Sequence, residues 1–409
     1  YSFKQNLFFR IKSLIKFFLL NRKFLNKKKY IIENDSIVLL CFTLYIFNDS
    51  LKELVSPLLK SRKEDILIIY DESEISNTEI SNALKISDIR LKIISIQKFY
   101  DKDQDNNYKK EKRKIRLWSK KIKKLKSKNS NLIKQIFGIY FVNLLKQRLK
   151  FVHASENLLS QNKIKTIISS DTSDSRCRII VGLSNSFNIK SLEVQYGAYS
   201  NEAIEFKYFI SDLIFVWGKK HKDLMINFGI EPQRIIVTGP LRLDFYQNLF
   251  SKPINKSVLY IPTHSMPPSV PKIVNKMNLW FNKLVKNNPD FNFIAKPHPL
   301  DKFNSIEKSR NLRILDSKED LRKYVFNCDY VITCGSTLTL DAIILNKKVI
   351  MLNPTGWESF SYEPYTLVEE KKIICFIFIF FNFRNIDFNF KIFDFTILLK
   401  FLLGPEAPM

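Results

Sequence analysis

The sequence is poor in the residues that build metal centres and disulfide frameworks. Its 409 residues include only five cysteines and four histidines, and no two cysteines have the CxxC spacing. The missing spacing argues against a structural zinc site, and the unpaired cysteines indicate a reducing compartment rather than a disulfide-stabilised secreted domain.

A long apolar run is missing from the first thirty residues. Arg10, Lys12 and Lys16 interrupt the segment LFFRIKSLIKFFLL, whereas a membrane-spanning helix needs about 20 predominantly apolar residues. Residues 1–30 therefore form a basic amphipathic segment, either a helix on a membrane surface or a helix packed on the protein body. No signal peptide is recognisable, but the sequence starts at Tyr1 rather than Met and leaves room for an earlier leader.

Acidic residues are outnumbered, with 40 Asp and Glu against 66 Lys and Arg, which gives a formal net charge of +26. Such a charge is typical of proteins that meet nucleic acid or an anionic membrane. An AT-rich coding sequence also enriches Lys, Ile, Asn and Phe without selection for charge, so both causes stay open. A hydrophobic content of 45% predicts a globular chain, and its length predicts two domains.

Short apolar runs alternate with helix-like segments through residues 31–248, the predicted N-terminal domain. This alternation predicts a parallel sheet covered by helices on both faces. Helices are predicted at 49–60 and 74–85. The predicted strands are 36–47, 65–71, 91–96, 165–171, 189–197, 212–218 and 234–240.

A basic insertion at residues 100–150 interrupts that rhythm. Twelve Lys or Arg lie between Lys109 and Lys128, with Trp118 and four aliphatic residues among them. One interpretation is a helix that lies on anionic lipid or holds an anionic polymer, and the other is a solvated helical excursion.

A second α/β pattern occupies residues 258–368, after a linker at 249–257. Its predicted strands are 258–264, 291–299, 311–317, 330–336 and 348–354. The whole pattern predicts an α/β protein with two doubly wound, Rossmann-like lobes facing a cleft. Residues 371–409 are a low-complexity tail rich in Phe and Ile, and we interpret 371–403 as an out-of-frame or degraded reading that leaves the C-terminal part aberrant or truncated.

Polar blocks lie at the carboxyl ends of three predicted strands of the second domain. The first block contains Thr263 and His264, and the second contains Lys296 and His298 in the run KPHP. The flanking prolines stiffen the backbone that presents His298, whose imidazole, beside Lys296, could stabilise charge on a departing phosphate. The alternative is a structural histidine bonded to a loop carbonyl.

The third block is Gly335-Ser336-Thr337, which opens a predicted helix. Gly335 allows a close turn, Ser336 or Thr337 can cap the helix, and free N–H groups at its start would attract a phosphate. Asp341, further along, is a candidate ribose contact or an ordinary exposed helical residue. Capping alone also explains a hydroxyl at this place.

Residues 215–244, the KPHP at 296–299 and residues 334–353 together resemble the bacterial surface-polysaccharide transferases of GT-B architecture. CDP-glycerol glycerophosphotransferases and capsule polysaccharide glycosyltransferases are the similar groups. The resemblance spans roughly 160–355 and is specific only in these three blocks. It implies no metal and no permanently bound cofactor, and a CDP-, CMP- or UDP-linked donor whose phosphate meets His298, Ser336 and Thr337.

One place departs from that family. Its members commonly carry His-Gly at the end of a first-lobe strand, where the histidine is a candidate base for the acceptor hydroxyl. This chain has Gln195, Tyr196 and Gly197 there, and tyrosine, whose pKa is ordinarily near 10, is a poor base. These three residues mark the expected acceptor side, and the loop carboxylates Asp171 and Glu202 become the candidate bases.

The resulting hypothesis is a cytoplasmic transferase, peripheral on the inner membrane face, that moves a sugar or polyol phosphate onto a lipid-linked or polymeric glycan. One alternative is a sugar-nucleotide 2-epimerase, which has the same two-lobed architecture. Others are a non-catalytic protein that binds membrane or polyanions, or a degraded gene product. Nucleic acid is ranked low as a partner, because Trp118 is the one aromatic residue interleaved with the basic stretch.

Overall fold

The computed structural model of the protein describes two compact units. The first comprises the described residues up to Tyr196 and those between Ile204 and Arg242, and the second comprises Gly197 and the described residues from Leu243 onward. The residues described are 30–101, 105–124, 142–161, 163–197, 209–243, 246, 256–262, 270–296, 305–316, 319, 321–333, 336–353 and 374–377.

Seven strands form the sheet of the first unit: β1 Ser36–Cys41, β2 Asp65–Tyr70, β3 Leu91–Ser95, β4 Ile164–Ser169, β5 Lys190–Val194, β6 Leu213–Val216 and β7 Ile235–Val237. Their order is β3-β2-β1-β4-β5-β6-β7, and every pairing is parallel. The first strand, β1, lies in the middle of the sheet. The next strands are added on one side and the later strands on the other, so the direction of strand order reverses between β1 and β4.

Helices cover both faces of this sheet. Val38 and Leu40 of β1 belong to one apolar cluster, while the alternating residues Ile37 and Leu39 belong to the other. A strand buried on both faces is what a parallel, doubly wound sheet requires. The helices of this unit are α1 Leu44–Asp49, α2 Lys52–Ser61, α3 Asn77–Leu84, α4 Asp105–Lys123, α5 Val142–Leu159, α6 Ser175–Ser184 and α7 Lys219–Asn227.

Two predicted boundaries in the first unit are wrong. The strand predicted at 36–47 ends at Cys41, and α1 follows at once, with Ile46 and Phe47 buried against the sheet. The predicted insertion at 100–150 contains the first half of α5, a helix that places Phe151 in the core. Both errors arose because composition alone does not distinguish strand from helix in a continuous apolar run and does not show where a lysine-rich helix joins the core.

The second unit repeats the architecture with the order β10-β9-β8-β11-β12-β13, again wholly parallel. These strands are β8 Ser257–Ile261, β9 Asn292–Ala295, β10 Leu312–Ile314, β11 Tyr330–Thr333, β12 Lys348–Asn353 and β13 Ile374–Ile377. Its helices are α8 Val270–Asn287, α9 Arg322–Asn327 and α10 Leu338–Ile344. Two doubly wound, Rossmann-like α/β units confirm the predicted fold class.

Strand β13 lies within the predicted low-complexity tail. Ile374–Ile377 pairs in parallel with β12, where Ile350 lies opposite Ile374. Four residues do not test the out-of-frame interpretation of the whole segment 371–403, which stays a prediction. The rest of the tail, like residues 1–29, lies outside the described part of the chain.

None of the helices in the described ranges is both long enough and apolar enough to cross a bilayer.

Candidate functional site

The three polar blocks of the second unit follow three neighbouring strands. Strand β8 is central, with β9 on one side and β11 on the other. The blocks at 262–264, 296–299 and 334–337 begin directly after these strands, at the same edge of the sheet. In open parallel sheets this edge, next to the switch in strand order, is where ligands bind. Thr263, His264, His298 and Gly335 themselves lie outside the described residues.

Lys296 is anchored at this edge through both its backbone and its side chain. Its N–H donates to the carbonyl of Tyr260 in β8 at 3.2 Å, and its Nζ donates to the carbonyl of Glu319 at 2.5 Å. The residue is half-buried. Lys296 is thus held as a fixed positive charge at this edge of the sheet.

The start of α10 differs from the predicted phosphate cradle. The N–H of Ser336 donates to Oγ1 of Thr333 at 3.3 Å, and the N–H of Leu338 donates to Oγ of Ser336 at 3.4 Å. The next two N–H groups donate to the carbonyls of Ser336 and Thr337 at 3.0 and 3.1 Å. The expectation of free N–H groups is therefore wrong for these four positions, because the turn satisfies them internally.

What this turn presents instead is hydroxyl groups. Ser336 and Thr337 are half-buried, and Ser336, rather than Thr337, supplies the side-chain cap. A serine or threonine hydroxyl can still donate its own proton while its oxygen accepts. A phosphate at the start of α10 would therefore meet these hydroxyl groups rather than the four N–H groups that the turn already satisfies.

The structure excludes the alternative that Asp341 is an ordinary exposed residue of the helix. It is fully buried, and its Oδ2 accepts a hydrogen bond from the hydroxyl of Tyr246 at 3.0 Å. The Tyr246 ring in turn stacks on Phe326 with a centroid distance of 6.4 Å. This contact gives the carboxylate a structural partner, and its contact with a ribose stays a prediction.

In the first unit, Asp171 follows β4 at the carboxyl edge, beside the switch between β1 and β4. Its Oδ1 accepts from the N–H groups of Ser173 and Asp174 at 3.1 and 3.3 Å, and also from the Ser173 hydroxyl. The carboxylate thus closes its own turn, as aspartates at helix starts commonly do. Its role as a base stays a prediction, as does that of Glu202, which lies outside the described residues.

Glu193 is a functional candidate that the sequence reasoning missed. It is only 1% exposed and lies in β5, where its Oε2 accepts from the hydroxyl of Thr172 at 2.8 Å and from that of Ser211 at 3.3 Å. Burial raises the pKa of Glu193 to about 7, against the opposing effect of the hydrogen bonds from Thr172. The signal was a lone charge inside the apolar run SLEV. Glu193 fixes the turn that carries Asp171.

The predicted acceptor-side residues follow β5. Gln195 is buried, its Oε1 accepts from the Trp217 backbone N–H at 2.8 Å, and its carbonyl accepts from the Trp217 indole N–H at 3.0 Å. Tyr196 is half-buried and belongs to the first unit, while the next residue, Gly197, is counted with the second. His221, which the sequence reasoning did not single out, packs edge-on against Trp217 with ring centroids 5.8 Å apart. No observation tests an acceptor role for these residues.

A buried ion network lies at the same edge. Arg176, at the start of α6, has Nη2 2.5 Å from Asp174 and Nη1 3.6 Å from Asp71, and it also donates to the carbonyl of Phe42 at 3.0 Å. The amide of Gln97 donates to Asp71 at 2.6 Å. The network joins the ends of β1, β2 and the start of α6, so its role is to hold this edge together.

Metal ligands and reactive thiols are not a feature of the residues described. Within that part of the chain, no three His, Cys, Asp or Glu side chains cluster closely enough to hold a metal ion. Cys41, Cys177 and Cys328 are buried and free. Burial raises the pKa of Cys41 and of Cys328 to about 12, so neither provides a thiolate nucleophile at neutral pH.

Solved structures share this fold, although no protein-family model and no curated sequence matches the chain. UDP-GlcNAc 2-epimerase from Methanocaldococcus jannaschii has a TM-score of 0.51 at 14% identity, covering 83% of this chain and 88% of its own. UDP-GlcNAc 2-epimerase from Neisseria meningitidis bound to UDP-GlcNAc gives 0.52 at 13% identity, with coverages of 83% and 86%. S. aureus MnaA with UDP gives 0.51 at 12% identity, with coverages of 82% and 87%.

At this identity the likeness establishes the fold and leaves the reaction open. The GT-B-type architecture expected from the sequence is supported. A particular relation to CDP-glycerol transferases is not supported by these three structures.

Proposed function

We propose that this chain is an enzyme that acts on a nucleotide-activated sugar, with 2-epimerisation as the first candidate reaction. The observation that carries the proposal is the placement of three polar blocks after three adjacent central strands of the second sheet. A doubly wound unit with basic, hydroxyl and imidazole side chains at that edge is suited to a nucleotide diphosphate.

The roles proposed for the second unit follow from side-chain chemistry. Lys296 supplies a fixed positive charge, and Ser336 and Thr337 supply hydroxyl donors. Strands β9 and β11 flank β8 and therefore lie about 10 Å apart, a span that a diphosphate and one lysine side chain can fill. His298, with Thr263 and His264 before it, is assigned to the same phosphates by its place in the sequence.

Two observations decide the order of the candidate reactions. Three of the structures that share the fold are 2-epimerases by name or bind UDP, which supports inversion at C2 of a UDP-sugar. Transfer to a lipid-linked or polymeric glycan at the inner membrane face is the second candidate, supported by the resemblance of the KPHP and CGST blocks to surface-polysaccharide transferases.

The deciding experiment incubates the full chain with UDP-GlcNAc in deuterated water and follows the products by proton NMR. An epimerase forms the C2-inverted sugar nucleotide without any acceptor, and its C2 position gains deuterium if inversion proceeds by proton removal and return. A transferase leaves C2 unchanged and releases nucleotide only with a glycan acceptor. Failure of both reactions with CDP-, CMP- and UDP-linked sugars would contradict the proposal.

Variants of the second unit test the site itself. His298→Ala and Lys296→Met are each expected to lower turnover about a hundred-fold, the usual cost of removing one group that stabilises developing charge. Lys308→Met is the matched control, because Lys308 is an exposed lysine of the same unit. Equal activity in all three variants would remove this edge from the mechanism.

A further inference from the structure

Helix α4 carries a surface that the proposed reaction does not use. Leu117 and Trp118 are 59% and 57% exposed, although both are large apolar side chains. Around them lie eight exposed basic residues, and we call these ten side chains the α4 basic surface: Lys109, Lys110, Arg113, Lys114, Arg116, Leu117, Trp118, Lys120, Lys121 and Lys124.

The opposite side of α4 is fixed to the body of the first unit. Tyr108 is 8% exposed, and Lys150 of α5 lies over its ring at 5.3 Å from the centroid. Glu111 has its Oε2 2.9 Å from Nε2 of His153, also on α5. Glu111 is thus paired with α5, although its side chain is still 42% exposed, and the side of α4 opposite Tyr108 carries the basic residues.

The apolar pair lies within the cationic side rather than apart from it. At about 100° per residue along an α-helix, Leu117 falls in the middle of the basic stripe and Trp118 at its border. Lys110, Lys114 and Lys121 lie between the two, and Arg113 and Lys124 lie on the other flank of Leu117. An exposed Leu–Trp pair within a cationic stripe is typical of a helix that lies in a membrane interface.

We propose that the α4 basic surface docks on an anionic lipid bilayer. The helix lies flat, with Leu117 and Trp118 in the headgroup layer and the basic side chains on the phosphates. Tryptophan is enriched at this depth because its ring is apolar and its N–H is polar. A single-stranded nucleic acid would instead favour several aromatic platforms along the basic groove, and the described part of α4 exposes one.

Vesicle binding tests this inference separately from any enzymatic activity. The full chain is expected to sediment with mixed phosphatidylglycerol and phosphatidylcholine vesicles, to ignore pure phosphatidylcholine, and to be released by salt. Replacing Lys110, Lys114 and Lys121 by Gln is expected to weaken binding about a hundred-fold, at about five-fold for each charge. Lys60→Gln/Lys63→Gln/Lys163→Gln is the matched control, since it removes three exposed charges elsewhere in the first unit.

The fluorescence of Trp118 tests whether this residue enters the headgroup layer. Its emission should shift to the blue on anionic vesicles. The Trp118→Phe variant should lose that shift but still sediment with the vesicles. If the control triple variant lost as much vesicle binding, the binding would depend on the net charge of the protein and not on the α4 basic surface, and the proposal would be overturned. Equal binding to neutral vesicles, or salt-sensitive binding to single-stranded nucleic acid without binding to vesicles, would also overturn it.

Discussion

The two units have the same winding but use their carboxyl edges differently. In both sheets the first strand is central, flanked by β2 and β4 in one unit and by β9 and β11 in the other. At the edge of the first sheet three charged groups are internal, since Asp71, Arg176 and Glu193 are 2%, 7% and 1% exposed, while Asp171 and Asp174 are half-buried. At the edge of the second sheet Lys296 and Ser336 are half-buried and reach the surface.

This difference indicates a division of labour built on one scaffold. Buried charges that are paired or hydrogen-bonded inside the protein rigidify a unit but offer nothing to a ligand. Half-buried polar groups that reach the surface can contact one. The predictions below test whether the first edge is structural and the second is open to a ligand, from the largest expected effect to the smallest.

Arg176→Ala is expected to destabilise the first unit by about 4 kcal/mol, because it removes the ion-pair partner of the buried carboxylate of Asp71 and of the half-buried carboxylate of Asp174. Native-state hydrogen exchange measures this loss strand by strand. The amides of β1, β2 and β4 should lose protection, while those of β8 and β11 serve as an internal reference.

The exposed Arg116 provides the control for that measurement. Arg116→Ala is expected to change stability by less than about 0.5 kcal/mol. Unchanged protection in Arg176→Ala would mean that the ion network does not hold the first edge together.

Glu193→Gln is expected to flatten the pH dependence of stability. Because burial raises the pKa of Glu193 from 4.5 to about 7, the folded state binds a proton that the unfolded state releases between these pH values. Glu193 therefore lowers stability as pH rises through this window, by about 3 kcal/mol in all. Urea unfolding at pH 5 and pH 8 should show this slope in the wild type and not in the variant.

Glu231→Gln is the matched control, since Glu231 is an exposed glutamate of the same unit. It should preserve the wild-type slope. An identical slope in Glu193→Gln would show that the carboxyl group titrates in the folded protein as it does in the unfolded chain.

Tyr246→Phe is expected to destabilise the second unit by about 2 kcal/mol, because the variant removes a hydroxyl donor from the fully buried Asp341. The effect is smaller than that of Arg176→Ala since a neutral partner is lost rather than a charge. Hydrogen exchange should locate the loss in β11 and β12, and Tyr45→Phe, which changes an exposed tyrosine of the first unit, should leave them unchanged.

Sequence reasoning succeeded where a polar residue ends an apolar run. It placed Lys296 and the block after YVIT at the ends of two strands because charge and proline cannot continue a buried parallel strand. The predicted strands ran on to 299 and 336, whereas β9 and β11 end at Ala295 and Thr333. It failed at Leu44, where an apolar run passes from strand to helix without a composition change. It also missed the internal bonds of the Ser336 turn, since the partner, Thr333, looked like an ordinary strand residue.

Ser336→Ala has the smallest expected effect on stability, and it tests directly whether the edge of the second sheet binds a ligand. Its cap bond to the Leu338 N–H is long, at 3.4 Å, so the loss of stability should be about 0.5 kcal/mol. If the hydroxyl contacts a nucleotide phosphate, UDP affinity measured by calorimetry should nevertheless fall about ten-fold, the cost of one hydrogen bond to a charged group. Ser309→Ala is the control, because Ser309 precedes β10 at the opposite edge of the same sheet. Unchanged UDP affinity in Ser336→Ala would mean that this serine only caps α10. Its role at the second edge would then be structural, like the roles of the buried charges at the first edge.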